Sequence, residues 1–378
     1  MKKNHIINRW IKVGVAALVL GLVACSSDPK VPKPADLELN MPLLGVRAVW
    51  NHKLGVVDFP LTVNVAGSVV TVASSDGTVT SLDAQTGSNI WQTVISSRIA
   101  AGVGSDGRYA AVVTNDNQIV TIEGGRELWR ARLSSQVFTA PLVAGKRVFV
   151  LGADRGVSAF DAASGKKIWS SQRPGEALVL RQAGVLTAVK NTLVVGLAGH
   201  LVGLDPLNGN VLWDAALASP RGTNDIERLV DMLAGVGRNA SVVCVRAFQA
   251  TVGCVNTDRG NILWKLPASG SVGLSSDDKQ VYAVEGDGRM LAWRLPDGQL
   301  AWSTDRLRYH HLSAPLVLGR SVVVGDESGV LHLLSVVDGS PMTRLNTDGS
   351  AVASTPVIAG KTLIAVTRSG GVFAFQPE

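Results

Sequence analysis

A ten-residue sentence recurs along this chain. It reads LDAQTGSNIW at 82–91, FDAASGKKIW at 160–169 and LDPLNGNVLW at 204–213, with an Asp, a Gly four residues on, and a Trp four residues after that. The Gly-x-x-x-Trp core occurs at Gly87/Trp91, Gly125/Trp129, Gly165/Trp169, Gly209/Trp213, Gly260/Trp264 and Gly298/Trp302. A seventh copy, VVDGSPMT, has Thr343 where the Trp is expected. Short alternating runs such as GTVTSLD (77–83) and RGVSAFD (155–161) precede the copies. Period-two alternation bounded by Gly and Asp predicts strand, turn, strand. The Gly suits a turn position with positive φ, and the Asp can accept from backbone N–H groups of that turn. The Trp opens the next strand and offers a large apolar face to a neighbour.

A second pattern interleaves with the first. Hairpins of two β-rich runs begin near Val63, Ala101, Ala140, Leu186, Leu233, Val272, Ala314 and Thr355, as in TAPLVAGKRVFVL (139–151) and SAPLVLGRSVVVG (313–325). Eight hairpins meet only seven turn-plus-Trp units. Two half units remain: VRAVWNHKL (46–54) at the start and GGVFAFQ (370–376) at the end. Joined, they complete an eighth unit. Four strands repeated about every 40 residues, with almost no helical periodicity, predict an all-β, eight-bladed β-propeller of four-stranded antiparallel blades. A single blade cannot bury both faces, and a ring leaves fewer open edges than a linear stack. The N-terminal strand is expected to close the ring by joining the C-terminal blade, giving one propeller domain over 45–378.

The N-terminus has a different composition. Lys2, Lys3 and Arg9 form a basic head before an apolar run from Val13 to Ala24. Twelve helical residues span roughly 18 Å, short of a bilayer core of about 30 Å. This is the build of a secretory signal over 1–24. It ends in Leu22-Val23-Ala24-Cys25, which resembles a bacterial lipobox, so that Cys25 is the expected lipidation site. Ser26 follows it, and in the enterobacteria-like sorting rule a residue other than Asp there implies the outer membrane. Removal of the signal leaves 32 basic and 30 acidic residues. No basic block remains to suggest nucleic acid. Residues 26–42 carry four prolines and little apolar pattern, so 25–44 reads as a lipidated Cys and a flexible tether.

The D-x-x-T/S/N-G-x-x-x-W sentence resembles the repeat of quinoprotein-type propellers, several of which bind pyrroloquinoline quinone. This chain has no adjacent Cys-Cys pair and no long insertions to build a cofactor chamber. With the lipobox and eight short blades it resembles the BamB family, the propeller lipoproteins of the machine that inserts β-barrels into the bacterial outer membrane. The resemblance covers essentially the whole mature chain. It implies a non-catalytic, cofactor-free scaffold, lipid-anchored at the periplasmic face of the outer membrane. The implied partners are the POTRA repeats of the barrel-inserting subunit BamA and, further, unfolded outer-membrane proteins. The alternative is a small periplasmic enzyme, quinone-dependent or hydrolytic. It stays open because a triad assembled across blades need not be close in sequence.

Local motifs for chemistry are few. GVGSDG (102–107) fits G-x-G-x-x-G, but the strand-like YAAVVT follows it, where phosphate binding needs a helix N-terminus. GKT (360–362) lacks the first Gly of a P-loop, since position 355 is Thr. His310-His311 has no acid or Cys at ligand spacing and reads as a loop. Neither H-E-x-x-H nor G-x-S-x-G occurs. Cys244 and Cys254 lie on either side of a hairpin turning near Phe248 and Gln249, at facing or nearly facing positions. An oxidising periplasm makes a disulfide one reading and two buried thiols the other.

Two intervals between Trp positions exceed the usual 38–41 residues: Trp169 to Trp213 is 44 and Trp213 to Trp264 is 51. The extra residues fall in 170–184 and 215–233, loops expected on one face, flanking one blade, and so neighbours. In the second, Asn224 precedes Glu227 by three, and Ile226, Leu229, Val230 and Leu233 recur at helical spacing, predicting one short helical turn. In the BamB family an L-x-L-R segment and an acidic segment in the next long loop contact the POTRA repeats. Here they match Leu178, Leu180 and Arg181, and Asp231. The family's second acid falls where this chain has Leu233, which weakens the acidic half.

Overall fold

The computed structural model describes residues 32–173, 178–220, 222–225 and 227–378. The signal segment and Cys25 lie outside them. The compact unit from Ala35 to Glu378 contains eight four-stranded antiparallel sheets. Seven are built from consecutive strands, beginning with blade 1 (Asn64–Ala66, Val69–Ala73, Thr78–Asp83, Asn89–Val94), continuing through blade 3 (Leu142–Ala144, Arg147–Leu151, Gly156–Asp161, Lys167–Gln172), blade 4 (Leu186–Val189, Thr192–Leu197, His200–Leu204, Val211–Ala216) and blade 5 (Met232–Asn239, Val242–Ala247, Thr251–Asn256, Asn261–Pro267), and ending with blade 7 (Leu316–Leu318, Ser321–Gly325, Val330–Ser335, Pro341–Asn346). Blade 8 takes Val357–Ala359, Thr362–Val366 and Gly371–Pro377 from the C-terminus and its outer strand, Val46–Lys53, from the N-terminus. Trp50 pairs with Ala374 there, so the ring closes as the two half units require. Among the described residues no helix is long and apolar enough to cross a membrane.

The Gly and Trp of each sentence do meet, but never within one copy. The indole of Trp50 lies on Gly87, Trp129 on Gly165, Trp169 on Gly209, Trp264 on Gly298 and Trp302 on Gly339. Each Trp therefore caps the outer turn of the following blade. A Cβ on Gly87, whose φ is 71°, would come within 2.6 Å of the Trp50 ring, so both backbone conformation and space demand glycine there. The indole N–H completes the contact: Trp50 Nε1 donates to the Ala84 carbonyl (3.0 Å), Trp129 Nε1 to Ala162 (2.8 Å) and Trp264 Nε1 to Leu295 (2.7 Å). The Asp of the sentence holds the same turn from inside. Asp83 Oδ1 accepts from the Gln85 and Thr86 N–H groups at 3.0 and 2.9 Å. A register shift in the third-to-outer strand pairing beside each Trp position, as between Ser81 and Leu82 or Ala159 and Phe160, twists the outer strand towards its neighbour.

The odd seventh copy is explained by closure. Blade 8 has no turn between its third and outer strands, because those strands come from opposite ends of the chain. A Trp at position 343 would have no glycine turn to cap. Leu44 and Val46 pack into the seam between blades 7 and 8 with Leu331, Leu345 and Phe375. Residues 35–44, assigned to the tether by composition, run against the propeller. Leu43 N–H donates to the Met342 carbonyl (2.7 Å), Arg306 pairs with Glu38 (2.6 Å), Arg344 donates to the Glu38 carbonyl, and Ala35 N–H donates to Arg308 (2.9 Å). The contact runs through backbone groups of Ala35, Glu38 and Leu43 and the Glu38 carboxylate, which composition does not reveal.

The alternating runs are not half-exposed. All six residues of Tyr109–Thr114 are buried, and in Thr78–Asp83 the polar Thr80 and Ser81 are as buried as Val79 and Leu82. Both faces of each blade's middle strands are covered by neighbouring blades, so small polar residues alternate with apolar ones inside the seams. GVGSDG spans the end of strand Ile99–Ser105 and its hairpin turn, and Gly360 of GKT is a hairpin turn with φ 61°.

Candidate partner-binding face

Two classes of connection emerge on one face: the loops from each outer strand to the next blade, and the turns between second and third strands. These loops, with the Arg368 turn of blade 8 and the start of strand Met232–Asn239, line an axial cavity of about 770 Å³, with Asp58, Arg181, Ala183, Ala234, His311 and Arg368 around it. The two long loops lie on this face on either side of blade 4 and meet, as their position in the repeat predicts. Ala234 N–H donates to the Ala183 carbonyl (2.8 Å), and Gly184 and Leu233 form an isolated antiparallel bridge.

Asp231 is the centre of this junction. Its Oδ1 lies 3.0 Å from Arg155 Nη1, and its Oδ2 accepts from the Leu180 N–H at 2.8 Å. Arg155 Nη2 also donates to the Leu178 carbonyl (3.3 Å), and the Asp231 carbonyl accepts from Phe248 N–H (2.9 Å). Three blades are tied together: Arg155 belongs to the blade 3 turn, Leu178 and Leu180 to the loop entering blade 4, and Asp231 to the loop entering blade 5. The Arg155 and Asp231 side chains are 8 % and 17 % exposed. Asp231 thus faces inward, and its carboxylate is occupied by the protein itself.

Leu178 is exposed, Leu180 is half-buried, and Arg181 is exposed at the rim of the axial cavity. Arg181 also borders a groove of about 280 Å³ that extends past Phe138 and Gln136 to Asn115 and Asn117. In the second loop Asn224 Oδ1 accepts from Glu227 N–H (2.9 Å), and Arg228 N–H reaches the Asn224 carbonyl (3.3 Å). That is one capped turn. Ile226 lies outside the described residues. Leu233 does not continue a helical face: it is in strand Met232–Asn239, opposite Arg246. Its apolar spacing reflects a strand start rather than a helix. Val230 is buried and seals the ring.

Other residues singled out in the sequence are also placed. Cys244 and Cys254 pair directly across two strands, and their sulfurs are bonded. His311 is exposed, but His310 is buried, with Nε2 2.8 Å from the Ala35 carbonyl and Nδ1 3.7 Å from Asp326. It lies in the loop between strands Leu300–Thr304 and Leu316–Leu318, as read from the sequence, but is packed inward rather than exposed. Among the described residues no cluster of His, Cys, Asp and Glu has a metal-binding arrangement.

Sequence reading missed Arg155, though a signal exists. In five of the seven other blades the equivalent turn position is Gly77, Asn117, Gly288, Gly329 or Gly370, all with positive φ, and Arg155 adopts φ 62° among them. A long side chain at a position that favours glycine or asparagine marks a backbone conformation held for another purpose.

Comparison with known proteins fits this architecture. The family model described as outer membrane protein assembly factor BamB matches residues 65–304. A Burkholderia pseudomallei protein, "Outer membrane protein assembly factor BamB", is 34 % identical over 97 % of both chains. The chain belongs to the BamB family. A Bordetella pertussis BamB is 33 % identical over 96 % of each chain. The crystal structure of BamB from Moraxella catarrhalis superposes with a TM-score of 0.80 at 22 % identity, covering 88 % of this chain and 99 % of that one. A quinohemoprotein alcohol dehydrogenase from Comamonas testosteroni reaches a TM-score of 0.67 at 15 % identity over 90 % of this chain and 78 % of its own, a likeness of fold alone.

Proposed function

We propose that this BamB-family chain is a non-catalytic scaffold of outer-membrane protein assembly, anchored through Cys25 to the periplasmic face of the outer membrane. It assists β-barrel insertion by binding the POTRA region of the barrel-inserting subunit BamA. Its contact surface is the face that carries the two long loops, with Leu178 and Arg181 at its centre. The observation that carries this reading is the meeting of those loops over blade 4, in a chain that is 34 % identical to a BamB over nearly its full length. An exposed Arg can form bidentate, charge-assisted bonds, and one such residue beside an apolar anchor can dominate an interface.

The test is co-purification with the barrel subunit from detergent-solubilised membranes. Arg181→Glu abolishes it and leaves the thermal melt unchanged. Lys166→Glu, in an exposed turn on the opposite face, does nothing. The reverse pattern would mean that the other face binds.

A further inference from the structure

We infer that Arg155 and Asp231 form an internal latch that presents Leu178 and Arg181, and that Asp231 is a positioning residue which does not touch the partner. This rests on the function proposed above. It changes the expected surface: the acidic half disappears, and what remains for the partner is cationic and apolar. The complementary patch on the partner is then an apolar surface bearing a carboxylate, with no basic group required to meet Asp231.

The geometry supports this in three ways. Both Asp231 oxygens are used within the chain, one by Arg155 and one by the Leu180 N–H. Arg155 also holds the Leu178 carbonyl, so the latch grips the presenting segment by its backbone on both sides of residue 179. The pair is largely withdrawn from solvent, at 8 % and 17 % exposure, while Leu178 is 41 % exposed. Backbone hydrogen bonds to a largely buried ion pair fix where the loop runs. They leave its outward side chains free to bind. A loop ordered before binding loses less entropy when it binds.

Loop exchange and a conservative variant separate a latch from a contact. Asp231→Ala and Arg155→Ala should each weaken co-purification with the barrel subunit at least tenfold and speed amide exchange at residues 178–184 of the free protein. Arg155→Lys, which keeps a cationic donor for the Asp231 carboxylate and the Leu178 carbonyl, should retain much of both. Asp231→Asn serves if Asp231→Ala fails to fold. Normal binding and unchanged loop exchange in Arg155→Ala, together with lost binding by Asp231→Ala, overturn the latch and make Asp231 a direct contact. Arg181→Glu is run alongside. If it still co-purifies, the choice of binding face has failed, and loop exchange alone judges the latch: unchanged rates in both alanine variants refute it.

Discussion

The indole N–H of Trp50 donates to the Ala84 carbonyl, and its ring lies on Gly87 of the next blade. This joins the blade that contains both chain ends to the first blade built from continuous sequence. Trp50→Ala removes a half-buried indole and its hydrogen bond, and should cost about 3 kcal/mol. Gly87→Ala should be comparable, because a methyl group there meets the same ring. A chain starting at His52 should lose its cooperative melt altogether. Chemical denaturation of the three variants checks this, and a truncated chain that melts like the parent would refute closure through this strand.

Thr343 gives the converse test. At every other Trp position of the seven turn-bearing blades the ring meets a turn of the next blade, and position 343 has none to meet. Restoring the repeat with Thr343→Trp should therefore not stabilise the protein. Thr343 is 5 % exposed, so the larger ring should cost about 1–3 kcal/mol by overpacking. A rise in melting temperature would show that the seam between blades 7 and 8 has room for a Trp.

Thiol counting tests the Cys244–Cys254 bond. Denatured, unreduced protein should show no reactive thiol from this pair, and reduction should release two. The bond closes a short loop, so reduction should lower stability by about 2–3 kcal/mol.

Acid sensitivity has a specific source in blade 7. Burial opposes ionisation of Asp326, but His332 and the Val330 and Ser328 groups outweigh it and hold the carboxyl below its ordinary range. A depressed carboxyl contributes stability that is present above its unfolded pKa of about 3.9 and is lost as pH falls through the lower folded value. His332 Nε2 lies 2.9 Å from Asp326 Oδ2, and Val330 N–H 2.8 Å from Oδ1. Asp326→Asn should be less stable at pH 7 by about 1–2 kcal/mol. The gap between parent and variant should narrow below about pH 4. A gap that stays constant from pH 7 to pH 2.5 would exclude this carboxylate as a source of acid sensitivity.

The sequence made the ring legible because its repeats are spaced by turns, and turn chemistry is local. Asp83, Gly87 and Trp91 announce strand, turn and strand wherever they recur. Pairings between copies are less visible: nothing in LDAQTGSNIW says that Gly87 receives Trp50 rather than Trp91. The site was legible in the same uneven way. Two extra-long intervals located the loops, and loops that flank one blade must meet. The role of Asp231 was not legible, because its partner Arg155 lies 76 residues away in a different blade. Leu233 misled for a related reason. An apolar residue at the junction of loop and strand fits either period, and the pairing with Arg246 decides it.

Closure by the Val46–Lys53 strand sets the order in which the protein can form. Its partner, Gly371–Pro377, lies more than 300 residues further along the chain. Bringing such distant segments together costs about 5 kcal/mol in loop entropy, and a ring dominated by non-local pairings folds slowly. The Val46–Lys53 strand can thus find its place only late, since its sheet does not exist until Gly371–Pro377 has been made. For that interval it is an unpaired strand open to any exposed edge, the same hazard that attends the barrel strands of the proteins whose assembly the BamB family serves.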